Sequence, residues 1–116
     1  MTEQQMTDEA TARARLVARR EELEALSETA REARGVVQLD QQSVGRLSRM
    51  DAIQGQAMAL ANERQRTAEL GRIAAALQRL DTGTYGECLE CGEGIAPRRL
   101  AVDPAASLCI ACAGRG

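Results

Sequence analysis

The sequence contains no histidine, tryptophan or phenylalanine, and its only aromatic residue is Tyr85. A compact core in a chain of 116 residues would ordinarily draw on several large rings, each burying about 150–250 Å². Their absence favours thin helix-to-helix packing over a globular centre. Without histidine or a pocket-forming core, general acid-base chemistry lacks its usual parts, and no enzymatic activity is expected. Lysine is also missing: all 15 basic residues are arginine, set against 17 acids for a formal charge of -2. That balance gives no broad electrostatic footprint for nucleic acid. No apolar run approaches the roughly 20 residues of a membrane span. The opening "MTEQQMTDEATARARL" is acidic and polar where a secretory signal would be basic and then apolar. A soluble, cytoplasmic protein with no membrane association is expected.

What is present is helical. From Thr7 to Arg34 there is no glycine or proline, and Ala, Glu, Arg and Leu dominate. Leu16, Leu23, Leu26, Ala30, Ala33 and Val37 recur at spacings of three, four and seven, which predicts one narrow apolar stripe. Gly35 suits the left-handed residue that closes a helix. A second helical pattern follows over about 43–81, with Asp40 or Ser43 as its N-cap. Its stripe is expected at Met50, Ile53, Ala57 and Leu60 and again at Leu70, Ile73, Leu77 and Leu80, with a polar gap near Glu63, Arg64 and Thr67. Two narrow-stripe helices joined by a short connection predict a mainly α fold, an antiparallel two-helix coiled-coil hairpin over residues 1–81 with its tip about 36–46. "DTGTYGE" then hands the chain to a small module over 82–116.

All four cysteines lie in that module as two C-x-x-C pairs, Cys88/Cys91 and Cys109/Cys112, separated by 17 residues. In a reducing compartment such pairs point to a metal rather than to disulfides. Four thiolates around one zinc ion make a closed tetrahedral site with no position for water or substrate, so one structural Zn²⁺ is expected. Gly92 fits the tight turn after the second ligand. About 35 residues are too few for a core alone, so zinc replaces the missing rings, with Leu89, Ile95, Leu100, Val102, Leu108 and Ile110 expected to pack around it. A thiol redox switch is disfavoured because zinc protects its thiolates and no resolving cysteine is left over. A nucleic-acid-binding finger has the same spacing, but Glu87, Glu90, Glu93 and Asp103 outnumber Arg98, Arg99 and Arg115 here.

The stretch "GTYGECLECGEGIAPRRLAVDPAASLCIAC", residues 83–112, resembles the DksA/TraR family of C4 zinc-finger transcription regulators. It has an aromatic-Gly pair before the first cysteine, C-x-x-C-G, then "RRL", a proline and "LCIAC". The resemblance implies a protein that binds RNA polymerase directly, without sequence-specific DNA contacts, and inserts its coiled-coil tip through the secondary channel to modulate initiation. It places the polymerase-contacting acid at Asp40 or Asp51. Relatives that respond to the alarmone ppGpp carry basic residues where this chain has Asp103 and Ala113. Weak or absent ppGpp dependence is therefore expected, with Arg72, Arg98 and Arg99 as the candidate polyanion contacts. A monomer is expected. The alternative is a non-catalytic structural or interaction protein whose helical hairpin pairs with another chain.

Overall fold

The computed structural model describes residues 3–40 and 46–115, and side chains outside 34–48. Two long helices come first, α1 (Glu3–Asp40) and α2 (Arg46–Thr82), followed by the short helices α3 (Pro97–Val102) and α4 (Ile110–Ala113). The described residues contain no strand; one isolated antiparallel bridge joins Glu87 and Gly94. Among them, no helix is long and apolar enough to cross a membrane. The fold is the mainly helical antiparallel pair with a cysteine module that the sequence predicts.

Helix α1 does not stop at Gly35, as its sequence suggests, but continues to Asp40. One glycine inside a helix costs only roughly 1 kcal/mol relative to alanine, too little by itself to end the helix. Asp40 is therefore the last residue of α1 and not a cap of α2. Ser43 and most of the expected tip over 36–46 fall outside the described residues and side chains. The far end of α2 closes as expected. Gly83 adopts φ +83°, and the Thr84 N–H donates to the Arg79 carbonyl at 2.9 Å, the six-to-one bond that satisfies an orphan carbonyl in a Schellman cap.

The chain forms two compact units, residues 21–69 and residues 1–20 with 70–116. In the second of these, Ala12 and Leu16 of α1 and Ile73 and Ala76 of α2 are buried. Arg13 Nη2 pairs with Asp81 Oδ1 at 2.8 Å. In the 21–69 unit, Leu23 is the buried anchor, and half-buried positions follow at Ser27 and Ala30 on α1 and at Ala52, Gln56, Ala59, Glu63 and Arg66 on α2. Arg66 Nε donates to Ser27 Oγ at 3.3 Å and to Glu63 Oε2 at 3.1 Å.

This contact face corrects the expected stripe. Leu26, Met50, Ile53 and Leu60 are 47–62% exposed, and Ala57 is exposed as well. Over residues 50–60 of α2 the contact face is rotated by about one residue, or roughly 100°, whereas Leu70, Ile73, Leu77 and Leu80 are buried or half-buried as expected. Small Ala52 and Ala59 replace Ile53 and Leu60 at the contact, and the Arg66–Glu63–Ser27 link takes the place of apolar packing.

Gly55 and Gly71 lie within α2, and a Cβ built on either meets nothing within 4 Å. Gly55→Ala and Gly71→Ala should each raise stability by about 0.4–1 kcal/mol, through helix propensity and a less flexible unfolded chain. Urea midpoints of the two variants test this; a lower midpoint in either would show that the glycine has a packing role absent from the free chain.

Candidate metal centre

The first cysteine pair sits on a tight turn closed by backbone bonds. Cys88 N–H donates to the Glu93 carbonyl at 2.8 Å, Gly92 N–H to Cys88 at 3.0 Å and Ile95 N–H to Gly86 at 2.7 Å. Gly92 takes φ +75°, a conformation costly for any residue with a Cβ, so the glycine after Cys91 does what its position predicts. The second pair uses a helix start instead. Cys109 is the N-cap of α4 and its Sγ accepts from the Cys112 N–H at 3.5 Å. The two segments are tied where Leu89 N–H donates to the Ser107 carbonyl at 2.9 Å.

These turns bring all four sulfurs within 4.8 Å of one another, with Cys91 and Cys109 Sγ at 3.8 Å. A tetrahedron with Zn–S bonds of about 2.3 Å has edges of about 3.8 Å, so the donor set and its spacing fit zinc. All four thiols are free of disulfides. Cys88 and Cys112 are 3% exposed and form the finger's core with Ile95, against which Leu100, Leu108 and Cys109 pack.

The sulfurs share their protons unequally. The Cys91 amide, followed by that of Cys109, stabilises the Cys88 thiolate and lowers its pKa to about 6. At Cys91 the Glu93 amide acts in the same direction but is outweighed by the shared hydrogen bond with Cys88 and by burial, so the thiol is held up. Cys112 is also pushed up, first by its hydrogen bond to Cys109 and then by burial. Without a cation, one thiolate is favoured at the expense of its neighbours. A bound dication would replace the remaining protons.

The metal module is anchored to the helix ends in its own compact unit. Arg15 Nη1 donates to the Ala101 carbonyl at 2.7 Å, Arg72 Nη2 pairs with Asp103 Oδ2 at 2.5 Å, and Tyr85 Oη donates to the Pro104 carbonyl at 2.9 Å. Asp103 Oδ1 also accepts from the Ala105 N–H at 3.2 Å, and Ala105 and Ala106 are buried. Burial holds the Tyr85 phenol above its ordinary pKa, so it stays a donor.

The structure brings together some of the singled-out residues and separates others. Arg72, a candidate polyanion contact, is paired with Asp103. Arg99 Nε donates to the Leu108 carbonyl at 2.9 Å, while Arg98 is exposed on α3. Asp51 is exposed in the second turn of α2, and the side chain of Asp40 lies outside the described residues. Leu89, Val102 and Ile110 do not pack around the metal site as expected but are 66%, 84% and 68% exposed. Leu89 and Ile110 each follow the first cysteine of a pair; with that sulfur turned inward, the next side chain points out. The sequence reading missed the anchoring roles of Arg15 and Tyr85. The signal for Tyr85 was its being the only ring in the chain.

A helical pair ending in a tetrathiolate finger defines a class, and comparison with known proteins narrows it. Residues 83–115 match the prokaryotic dksA/traR C4-type zinc finger. A 41-residue segment is 51% identical to the RNA polymerase-binding transcription factor DksA of Haemophilus influenzae, spanning 35% of this chain and 28% of that protein. The whole fold is similar to the structure of transcription factor DksA2 from Pseudomonas aeruginosa, with 29% identity, a TM-score of 0.78 and coverage of 94% of this chain and 82% of that one. Residues 83–115 thus match the family's C4 zinc finger, the chain is DksA-like in its fold, and the four clustered cysteines fit one structural zinc.

Because protons compete with zinc for the sulfurs, the metal-free finger binds more protons than the loaded one, and acid favours release. Zinc affinity should therefore fall with decreasing pH, most steeply below about pH 6 where even Cys88 becomes protonated. A chromogenic chelator titrated between pH 8 and pH 5 reads this directly. Chelation at neutral pH, or Cys88→Ser, should unfold the finger and lower the thermal midpoint; a circular-dichroism melt that chelator leaves unchanged would contradict a structural role for the metal.

Proposed function

We propose that the chain is a non-enzymatic, cytoplasmic transcription regulator that binds RNA polymerase directly as a monomer, with its helical tip directed into the secondary channel to modulate initiation. In this reading residues 1–81 are the working hairpin and residues 82–116 its metal-stapled base, with Cys88, Cys91, Cys109 and Cys112 as the zinc ligands. The observation that carries it is the structural likeness to a DksA-type transcription factor along almost the whole chain. The tip contact is assigned to Asp40, with Asp51 second. Sequence-specific DNA binding is not part of the proposal: Glu87, Glu90 and Glu93 are exposed on the finger, and four thiolates around a dication add about two negative charges.

The arrangement of charges also argues against strong ppGpp dependence. Arg72 is paired with Asp103 and Arg99 Nε with a backbone carbonyl, so a polyanion recruiting Arg72 would compete with the Asp103 carboxylate. Among the described residues no cluster of acid-base groups offers catalysis a seat. An open groove of about 250 Å³ lined by Met6, Glu9, Ala10, Arg13 and Leu80 offers one carboxylate beside a guanidinium already paired with Asp81.

A second reading, pairing of the hairpin with another chain, is favoured by the exposed Met50, Ile53 and Leu60. Binding of the zinc-loaded protein to bacterial core RNA polymerase, with a known secondary-channel factor as competitor, separates the two. Competitive binding that weakens with Asp40→Asn is the expected result. Failure to bind at micromolar concentration, together with concentration-dependent sedimentation, would transfer the case to helical pairing. Labelled ppGpp should bind the polymerase complex no more tightly with this protein than without it; tight binding lost on Arg72→Ala would overturn the ppGpp assignment.

A further inference from the structure

In a chain that is 28% charged, the 11 residues 52–62 of α2, "AIQGQAMALAN", carry no charge. They lie in the 21–69 unit, between Asp51 and Glu63. With Met50 they hold an apolar stripe that the hairpin does not bury. Met50, Ile53 and Leu60 are 61%, 62% and 50% exposed, and Ala57 is exposed with them. Spacings of three, four and three at 100° per residue put these four side chains on one face, within an arc of about 80°. The flanking Gln54 and Ala61 are exposed and uncharged. Contact within the hairpin is already made by Ala52, Ala59 and the Arg66–Glu63–Ser27 link, so this second stripe is left over from it.

Charge decides what such a face receives. Nucleic acid needs cations against its phosphates, and a lipid surface needs an apolar helix face bordered by cations. Residues 52–62 supply none. Selection of an unrelated protein draws on complementary charges that the stripe also lacks. A second copy needs no such border. An uncharged face meets its own image with no like charges opposed, and the 3-4-3 spacing is that of a helix seam, whose side chains find gaps of the same period on an identical helix. We propose that Met50, Ile53, Ala57 and Leu60 form a homotypic seam through which two copies of this chain pair along α2. The inference rests on the pairing reading above and names its partner. Arg64 takes the next place in the repeat and ends the seam. From Met50 to Leu60 the helix rises only about 15 Å, and a strip of that length one helix wide buries well under the roughly 800 Å² per partner of a standard interface. The pair is therefore weak, with a Kd on the order of 100 µM. At the micromolar concentrations that suit polymerase binding the chain is a monomer.

Sedimentation velocity of the full-length, zinc-loaded protein from about 5 µM to about 1 mM tests the seam. The parent should pass from monomer towards dimer over that range. Ile53→Gln/Leu60→Gln retains helix propensity and should stay a monomer throughout, with zinc stoichiometry and thermal midpoint little changed, since half or more of each side chain is already exposed. Ala57→Glu, which sets like charges against each other in the seam, should also stay a monomer. Association that persists unchanged in either variant would overturn this inference and leave pairing of the hairpin through another face in place. A parent that remains a monomer at about 1 mM would overturn pairing with a second copy altogether, without touching the polymerase reading.

Discussion

The convergence of four sulfurs on one point is the constraint on which the finger depends. Its core is Cys88, Ile95 and Cys112 with three partly buried neighbours, far less apolar area than a free-standing domain requires. The two turns that place the sulfurs are built from backbone hydrogen bonds and one left-handed glycine, and these cannot hold against the entropy of some 30 ordered residues by themselves. Cys88 is held as the more acidic thiol while Cys91 and Cys112 are held up, and a bound dication would replace the protons that remain.

From that centre, order also passes into the helix ends through a few polar contacts. Arg15, Arg72 and Tyr85 all reach the stretch from Ala101 to Pro104, between the two cysteine pairs. The Arg72–Asp103 side chains are 51% and 41% exposed, so the pair contributes at most about 1 kcal/mol. Its value is positional. Asp103 simultaneously accepts from the Ala105 amide, which fixes the turn that buries Ala105 and Ala106. A carboxylate there reads in the sequence as an obstacle to a polyanion; in the structure it is also the fastening for Arg72.

Much of this was legible without coordinates. Cysteine spacing and Gly92 gave the metal turns, "DTGT" the end of α2, and Leu16, Leu23 and Ile73 the buried anchors. The phase of the α2 contact over residues 50–60 was not legible. Periodicity fixes how often a residue returns to a face, but α2 carries two neighbouring stripes with the same spacing: large Met50, Ile53 and Leu60, and small Ala52 and Ala59. Hydrophobicity selects the first. The observed contact uses the second, with a polar link through Arg66 beside it. Gly35 misled for a related reason: a glycine permits a helix to end but does not require it.

The outward placement of Leu89 and Ile110 comes from the same geometry that builds the core. In each pair the first cysteine must turn its sulfur towards the centre, and the next side chain leaves on the opposite side whatever its chemistry. Packing therefore cannot account for an apolar residue there, since a polar one would satisfy the turn equally well and keep the surface wet. Ile95, Leu100 and Leu108 are explained by what they bury; Leu89 and Ile110 are not.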